Sequence, residues 1–130
     1  MDRLKLLKLL IHLIFFILIV NFLANKFYWY SAILYLDMIM HFLGGFWLGL
    51  LYFYIFSFSK ESFIYIVLKI LFFVLIVGVG WEVFEILVND VLTQNPLDFL
   101  DITSDIFFDL AGGILAILYF FRKNYAYRGK

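Results

Sequence analysis

Four long apolar runs decide what this chain can fold into. A helix needs about 20 predominantly apolar residues to cross a bilayer. The sequence offers such a run four times: from about Leu4 to Leu23, Ile33 to Phe56, Phe63 to Leu87 and Ile102 to Phe121. Hydrophobic residues make up 66% of the 130, against roughly half in soluble domains, so a lipid solvent is the only setting that suits them. Inside hydrocarbon each backbone N–H and C=O must be satisfied within its own segment, which makes these runs helices. The expected fold class is therefore all-α: a polytopic membrane protein with four transmembrane helices in a bundle, one domain over residues 1–130.

The connections fit this division. The first run ends in Asn25-Lys26-Phe27-Tyr28-Trp29-Tyr30, aromatics of the kind that settle at a membrane–water interface. Ser57 to Ser62 joins the second and third spans. Asn89 to Asp101 holds the only proline, Pro96, and reads as a loop with a short interfacial turn. The first run is longer than a signal-peptide core of about 7–15 residues and lacks a small-x-small cleavage site, so it reads as a retained signal-anchor helix. Basic residues then set the orientation. Arg3, Lys5 and Lys8 precede the first span, Lys60 lies in the middle connection, and Arg122, Lys123, Arg128 and Lys130 follow the last. The other two connections offer only Lys26. Both termini and the middle connection are expected in the cytoplasm, with Lys69 snorkelling back towards that side.

Composition also excludes chemistry. No cysteine means no disulfides, no thiolate zinc site and no cysteine nucleophile. A formal net charge of zero without a basic patch gives no basis for a nucleic-acid partner.

The placement of the acids is more informative than their number. Of ten acidic residues, Asp37, Glu82, Glu85, Asp90, Asp98, Asp101, Asp105 and Asp109 all fall in the outer half of this topology, and His41 lies with them. Asp37 and His41 stand one turn apart on the second span, Glu82 and Glu85 share a face of the third, and Asp105 and Asp109 stand one turn apart on the fourth. Asp90, Asp98 and Asp101 read equally well as solvated loop residues, with Asp101 a helix N-cap ahead of Thr103. His12, alone in the inner half of the first span, reads as structural. The other six are flanked by apolar residues, where a carboxylate costs at least ~2.5–3.5 kcal/mol to insert. Something must balance them: shared protons, a cationic substrate, or a bound cation. Several oxygens with one imidazole suit Mg²⁺, Mn²⁺, Ca²⁺ or Zn²⁺.

Two segments align without a gap. Asp37-Met-Ile-Met-His41-Phe-Leu-Gly44-Gly45 matches Asp105-Ile-Phe-Phe-Asp109-Leu-Ala-Gly112-Gly113. Such a match predicts a 2+2 parallel internal repeat about an axis along the membrane normal. Gly45 and Gly49 form a small-xxx-small pair that lets helix backbones approach, Gly112 and Gly113 do the same on the last span, and Gly78-Val-Gly80 is expected to bend or thin the third span below its acids.

Asp37-xxx-His41-Phe42 with Gly45, then Trp81-Glu82-xx-Glu85, then Asp105-xxx-Asp109-xx-Gly112 together resemble the VanZ-like and YjdF-type bacterial inner-membrane proteins. The resemblance covers roughly Asp37 to Gly113. Met38 stands where that group has a lysine, removing a possible internal counter-charge, and Glu85 is closer to the YjdF-type pattern. The resemblance implies a small multi-pass protein of the prokaryotic cytoplasmic membrane and supplies no mechanism.

Three functions fit these residues. One is a metal-dependent intramembrane enzyme acting on a lipid or lipid-linked envelope substrate, with Asp37, His41, Glu82, Glu85, Asp105 and Asp109 as ligands and acid–base groups. Another is binding or transport of a cation, proton or small molecule, for which so short a chain would need to form a homodimer. The last is an accessory protein whose polar cluster only locks helices together.

Overall fold

The structure is a computed structural model describing residues 2–33, 35–56, 61–92 and 98–128, with the side chains of 89–92 and 125–128 left aside. Among the described residues there are five helices and no strand: α1 (Arg3–Lys26), the short α2 (Trp29–Ala32), α3 (Leu36–Ile55), α4 (Phe63–Leu92) and α5 (Phe99–Arg128). Helices α1, α3, α4 and α5 are each long and apolar enough to span a membrane.

Local chemistry sets the ends. Asp2 caps α1 by accepting from the Leu4 N–H at 3.3 Å, and the Phe27 N–H closes its last turn on the Leu23 carbonyl at 2.9 Å. Tyr28 then takes a left-handed φ of 58°, uncommon for a residue with a Cβ, and turns the chain into α2. At α5 the N-cap is Asp98, whose Oδ1 accepts from Leu100 N at 3.1 Å and Asp101 N at 3.3 Å. Asp101 is thus not the cap; it sits in the first turn, where a negative charge suits the helix dipole.

The long loop expected from Asn89 to Asp101 is shorter in fact. Helix α4 runs on to Leu92, taking Asn89 and Asp90 into it, and α5 starts at Phe99. Residues 93–97, with Pro96, and 57–60 in the middle connection lie outside the described residues, as does the Asp90 side chain. At about 1.5 Å per residue, the 30 residues of α4 and of α5 span about 45 Å. That exceeds a hydrocarbon core of about 30 Å, so each helix is longer than the core it has to cross.

Packing centres on α3 against α5. Glycines permit it: a Cβ on Gly45 would overlap the Asp109 carbonyl oxygen, and one on Gly112 would overlap that of Phe42. Further along, Gly49 lies against Ala116. Towards the α3 C-terminus the helices share an apolar core of Leu6, Leu10, Leu50, Phe53, Ile66, Ile70, Val74, Ala116 and Ile117, where the rings of Phe53 and Phe120 stack at 3.9 Å. Helix α4 packs on α5 and α3, whereas α1 packs on α3 and α2, with no Cα within 8 Å of α4 or α5. The Trp47 Nε1–H donates to the Leu10 carbonyl at 2.9 Å, tying α1 to α3.

Exposure runs opposite to that of a soluble protein. Phe15, Phe22, Phe72 and Phe107 are at least 60% exposed, while Asp105 is 2% and Glu82 4% exposed. Lys69 reaches back along α4 to Glu61 at 2.5 Å, taking its ammonium out of the apolar stretch.

Gly45→Ala should cost about 1–3 kcal/mol by forcing α3 from α5, read as thermal unfolding in detergent. Gly80→Ala, which meets nothing within 4 Å, should be neutral. Equal losses would contradict the close crossing.

Candidate functional site: a histidine among carboxylates

One turn of α3 carries Asp37 and His41, and the next carries Gly45, which brings the α5 main chain close at Asp109. Helix α5 contributes Asp105 and Asp109 from the same face. Helix α4 contributes Glu82, with Gly78 one turn before it. A Cβ on Gly78 would stand 2.7 Å from Asp109 Oδ2, so this glycine thins α4 where the Asp109 carboxylate sits against it. The spacing of Gly78 from Glu82 carried that information, but only the helix crossing reveals the occupant.

The His41 ring is the hub, with 9% of its side chain exposed. Its Nδ1 lies 3.0 Å from Asp109 Oδ1, a hydrogen bond in which the ring N–H donates to the carboxylate. Its Nε2 faces Asp105 Oδ2 at 3.4 Å, Asp37 Oδ1 at 3.7 Å and Glu82 Oε1 at 3.9 Å. These three distances exceed a direct N–H···O bond of about 2.7–3.2 Å. Ligand atoms held about 2.1 Å from one ion at tetrahedral angles lie about 3.4 Å apart, so the longer spacing leaves a place for a shared cation.

Two ring states suit this setting. An imidazolium would donate to Asp109 and attract the remaining carboxylates. A neutral ring with its proton on Nδ1 would present the Nε2 lone pair to whatever Asp37, Asp105 and Glu82 hold, with Asp109 fixing tautomer and orientation as the outer partner of metal-bound histidines does. The oxygens carry a further clue. Glu82 Oε1 and Asp105 Oδ1 are buried without a hydrogen-bond partner, an arrangement that costs about 1–3 kcal/mol per group and more for a charged one.

All six singled-out residues fall in this region. Asp37, His41 and Asp105 offer ligand atoms within 4.8 Å of one another, and so do Glu82, Glu85 and Asp105. Asp105 belongs to both sets. Glu85, half-buried, accepts from Trp81 Nε1 at 2.7 Å, a partner one turn away on α4. Asp98 and Asp101 are exposed at the start of α5. Met38 is on the exposed side of α3. His12 donates from Nδ1 to the Lys8 carbonyl at 2.6 Å and has no part in the site.

Comparison with known proteins gives a family and little more. The sequence model of a family described as "Predicted membrane protein (DUF2238)" matches residues 1–125. No curated protein and no solved structure matches the chain.

The role of Asp109 can be separated from its bulk. Asp109→Asn keeps an acceptor for Nδ1–H and should cost about 1 kcal/mol, whereas Asp109→Leu leaves the ring nitrogen buried and unpaired and should cost about 3 kcal/mol. Unfolding in detergent would show it, and similar losses from both would mean the hydrogen bond is unimportant.

Proposed function

We propose that this chain, which belongs to the DUF2238 family of predicted membrane proteins, binds a divalent cation in the cytoplasmic (inner) membrane and acts on a lipid or lipid-linked envelope substrate. The observation that carries this reading is the pair of buried oxygens without a hydrogen-bond partner, Glu82 Oε1 and Asp105 Oδ1, in a cluster around one imidazole. Leaving carboxylate oxygens bare at this depth has a large cost, which a cation offsets directly.

The ligand set is His41 Nε2 with Asp37, Asp105 and Glu82. Asp109 orients the ring, and Glu85 is a reserve ligand through its grouping with Glu82 and Asp105. An imidazole among oxygens favours Zn²⁺ or Mn²⁺ over Mg²⁺ or Ca²⁺. Such an ion polarises a carbonyl or phosphoryl oxygen, or activates a water.

The basic residues before α1, in the middle connection and after α5 support cytoplasmic termini, which puts the site in the outer-leaflet half. The internal repeat has support too: His41 and Asp109, hydrogen-bonded to each other, stand 68 residues apart, the offset at which the two Asp-xxx-(His/Asp)-xx-Gly-Gly segments align. The resemblance to VanZ-like and YjdF-type proteins supports the bacterial membrane setting.

Elemental analysis of purified protein tests this. One divalent ion per chain is expected, lost in His41→Ala and Asp105→Asn, with Asp109→Asn weakening affinity about 10–100-fold. If the wild type holds no metal and takes none up from Zn²⁺ or Mn²⁺, the reading falls. Cation- or proton-coupled uptake in vesicles would then favour transport, and reduced stability alone an accessory role.

A further inference from the structure

A cleft of about 910 Å³ opens beside the cluster, between α1 and α4 and floored by α3. Its two walls are apolar: Ile14 and Leu18 on α1 face Val77 and Phe84 on α4. Towards the α3 C-terminus Leu6 and Leu10 belong to the same apolar core as Ile66 and Ile70. The walls stand apart, since no Cα of α1 lies within 8 Å of α4. A gap between two membrane-spanning helices opens sideways into lipid, so an acyl chain can enter it without crossing water.

The polar lining has one sign. Asp37, Glu85, Asp101 and Asp109 line the cleft along with His41, and among the described residues no lysine or arginine does. Trp81 and Tyr30 add aromatic surface, and the Tyr30 hydroxyl donates to Asn21 Oδ1 at 2.7 Å. Burial, and then the carboxylates of Asp37 and Glu85, push that hydroxyl above its ordinary pKa of 10.0, so it stays a neutral donor. The other polar groups that line the cleft, Asn21, Asn25 and Tyr30, are neutral. A head group that carries phosphate without an amine would therefore meet carboxylates with no lysine or arginine lining the cleft to offset them. An ammonium group would meet carboxylates and indole, both of which attract cations.

We propose that the cleft between α1 and α4 is the binding site for a membrane lipid with an amine head group, its acyl chain between the apolar walls and its ammonium at Glu85 and Asp101. Neither Glu82 nor Asp105 lines the cleft, so a lipid at Glu85 and Asp101 leaves these two carboxylates to a cation. The proposal goes beyond the metal reading and does not require it.

The test is native mass spectrometry of purified protein from mixed micelles containing equal amounts of phosphatidylethanolamine and phosphatidylglycerol, with and without EDTA. Retained phosphatidylethanolamine should exceed phosphatidylglycerol about tenfold, equivalent to about 1.4 kcal/mol, and EDTA should not change the ratio. Glu85→Gln with Asp101→Asn should bring it to about one. Leu18→Trp, which fills the cleft without touching a carboxylate, should reduce retention of the amine lipid and provides the test if the double variant does not fold. Equal retention of both lipids, a preference for phosphatidylglycerol, or retention unchanged by Leu18→Trp overturns the proposal. Phosphatidylglycerol retained only before EDTA treatment would overturn it while leaving the metal reading intact.

Discussion

The hydrogen bond from His41 to Asp109 is the contact on which the rest of this structure depends. It joins α3 to α5 at the depth where both helices carry charge, and it fixes which way the second ring nitrogen points. Without a basic group there, Asp37, Glu82, Asp105 and Asp109 would be a set of like charges in a medium that solvates none of them. With it, each carboxylate has a reason to turn inward, and the apolar side chains that would have filled a soluble core face outward.

That contact depends in turn on a backbone approach. A histidine and an aspartate meet across two helices only if the helices are close, and Gly45 and Gly112 remove the side chains that would hold them apart. Gly78 does the same for α4, giving the Asp109 carboxylate room on its far side. Small residues thus matter here for the polar groups they let meet as much as for helix packing.

Much of this was legible in the sequence, for identifiable reasons. Span number and approximate limits follow from apolar length, and the grouping of Asp37, His41, Glu82, Glu85, Asp105 and Asp109 follows from helical spacing once the spans are laid antiparallel. What was not legible depends on rotation about the helix axes. Spacing alone does not separate Asp109, on Nδ1, from Asp105, on the Nε2 side, nor place Met38 outward. The reach of α4 to Leu92 was hidden because Asn89 and Asp90 look like loop residues, and the cap fell to Asp98 because Asp101 was already inside the first turn. The cleft could not be foreseen at all: it exists because α1 packs on α3 and leaves α4 alone, a choice no single segment records.

The order of the helices along the chain has a consequence for biosynthesis. Chains emerge N-terminus first, so α1 enters the bilayer before the helix it packs against has been made. Helix α5 comes last of the four and brings Asp105 and Asp109, two of the costliest groups to insert. By then His41 is already in place on α3. The acids therefore arrive where a partner is waiting, and α3 acts as the template on which the later helix is received.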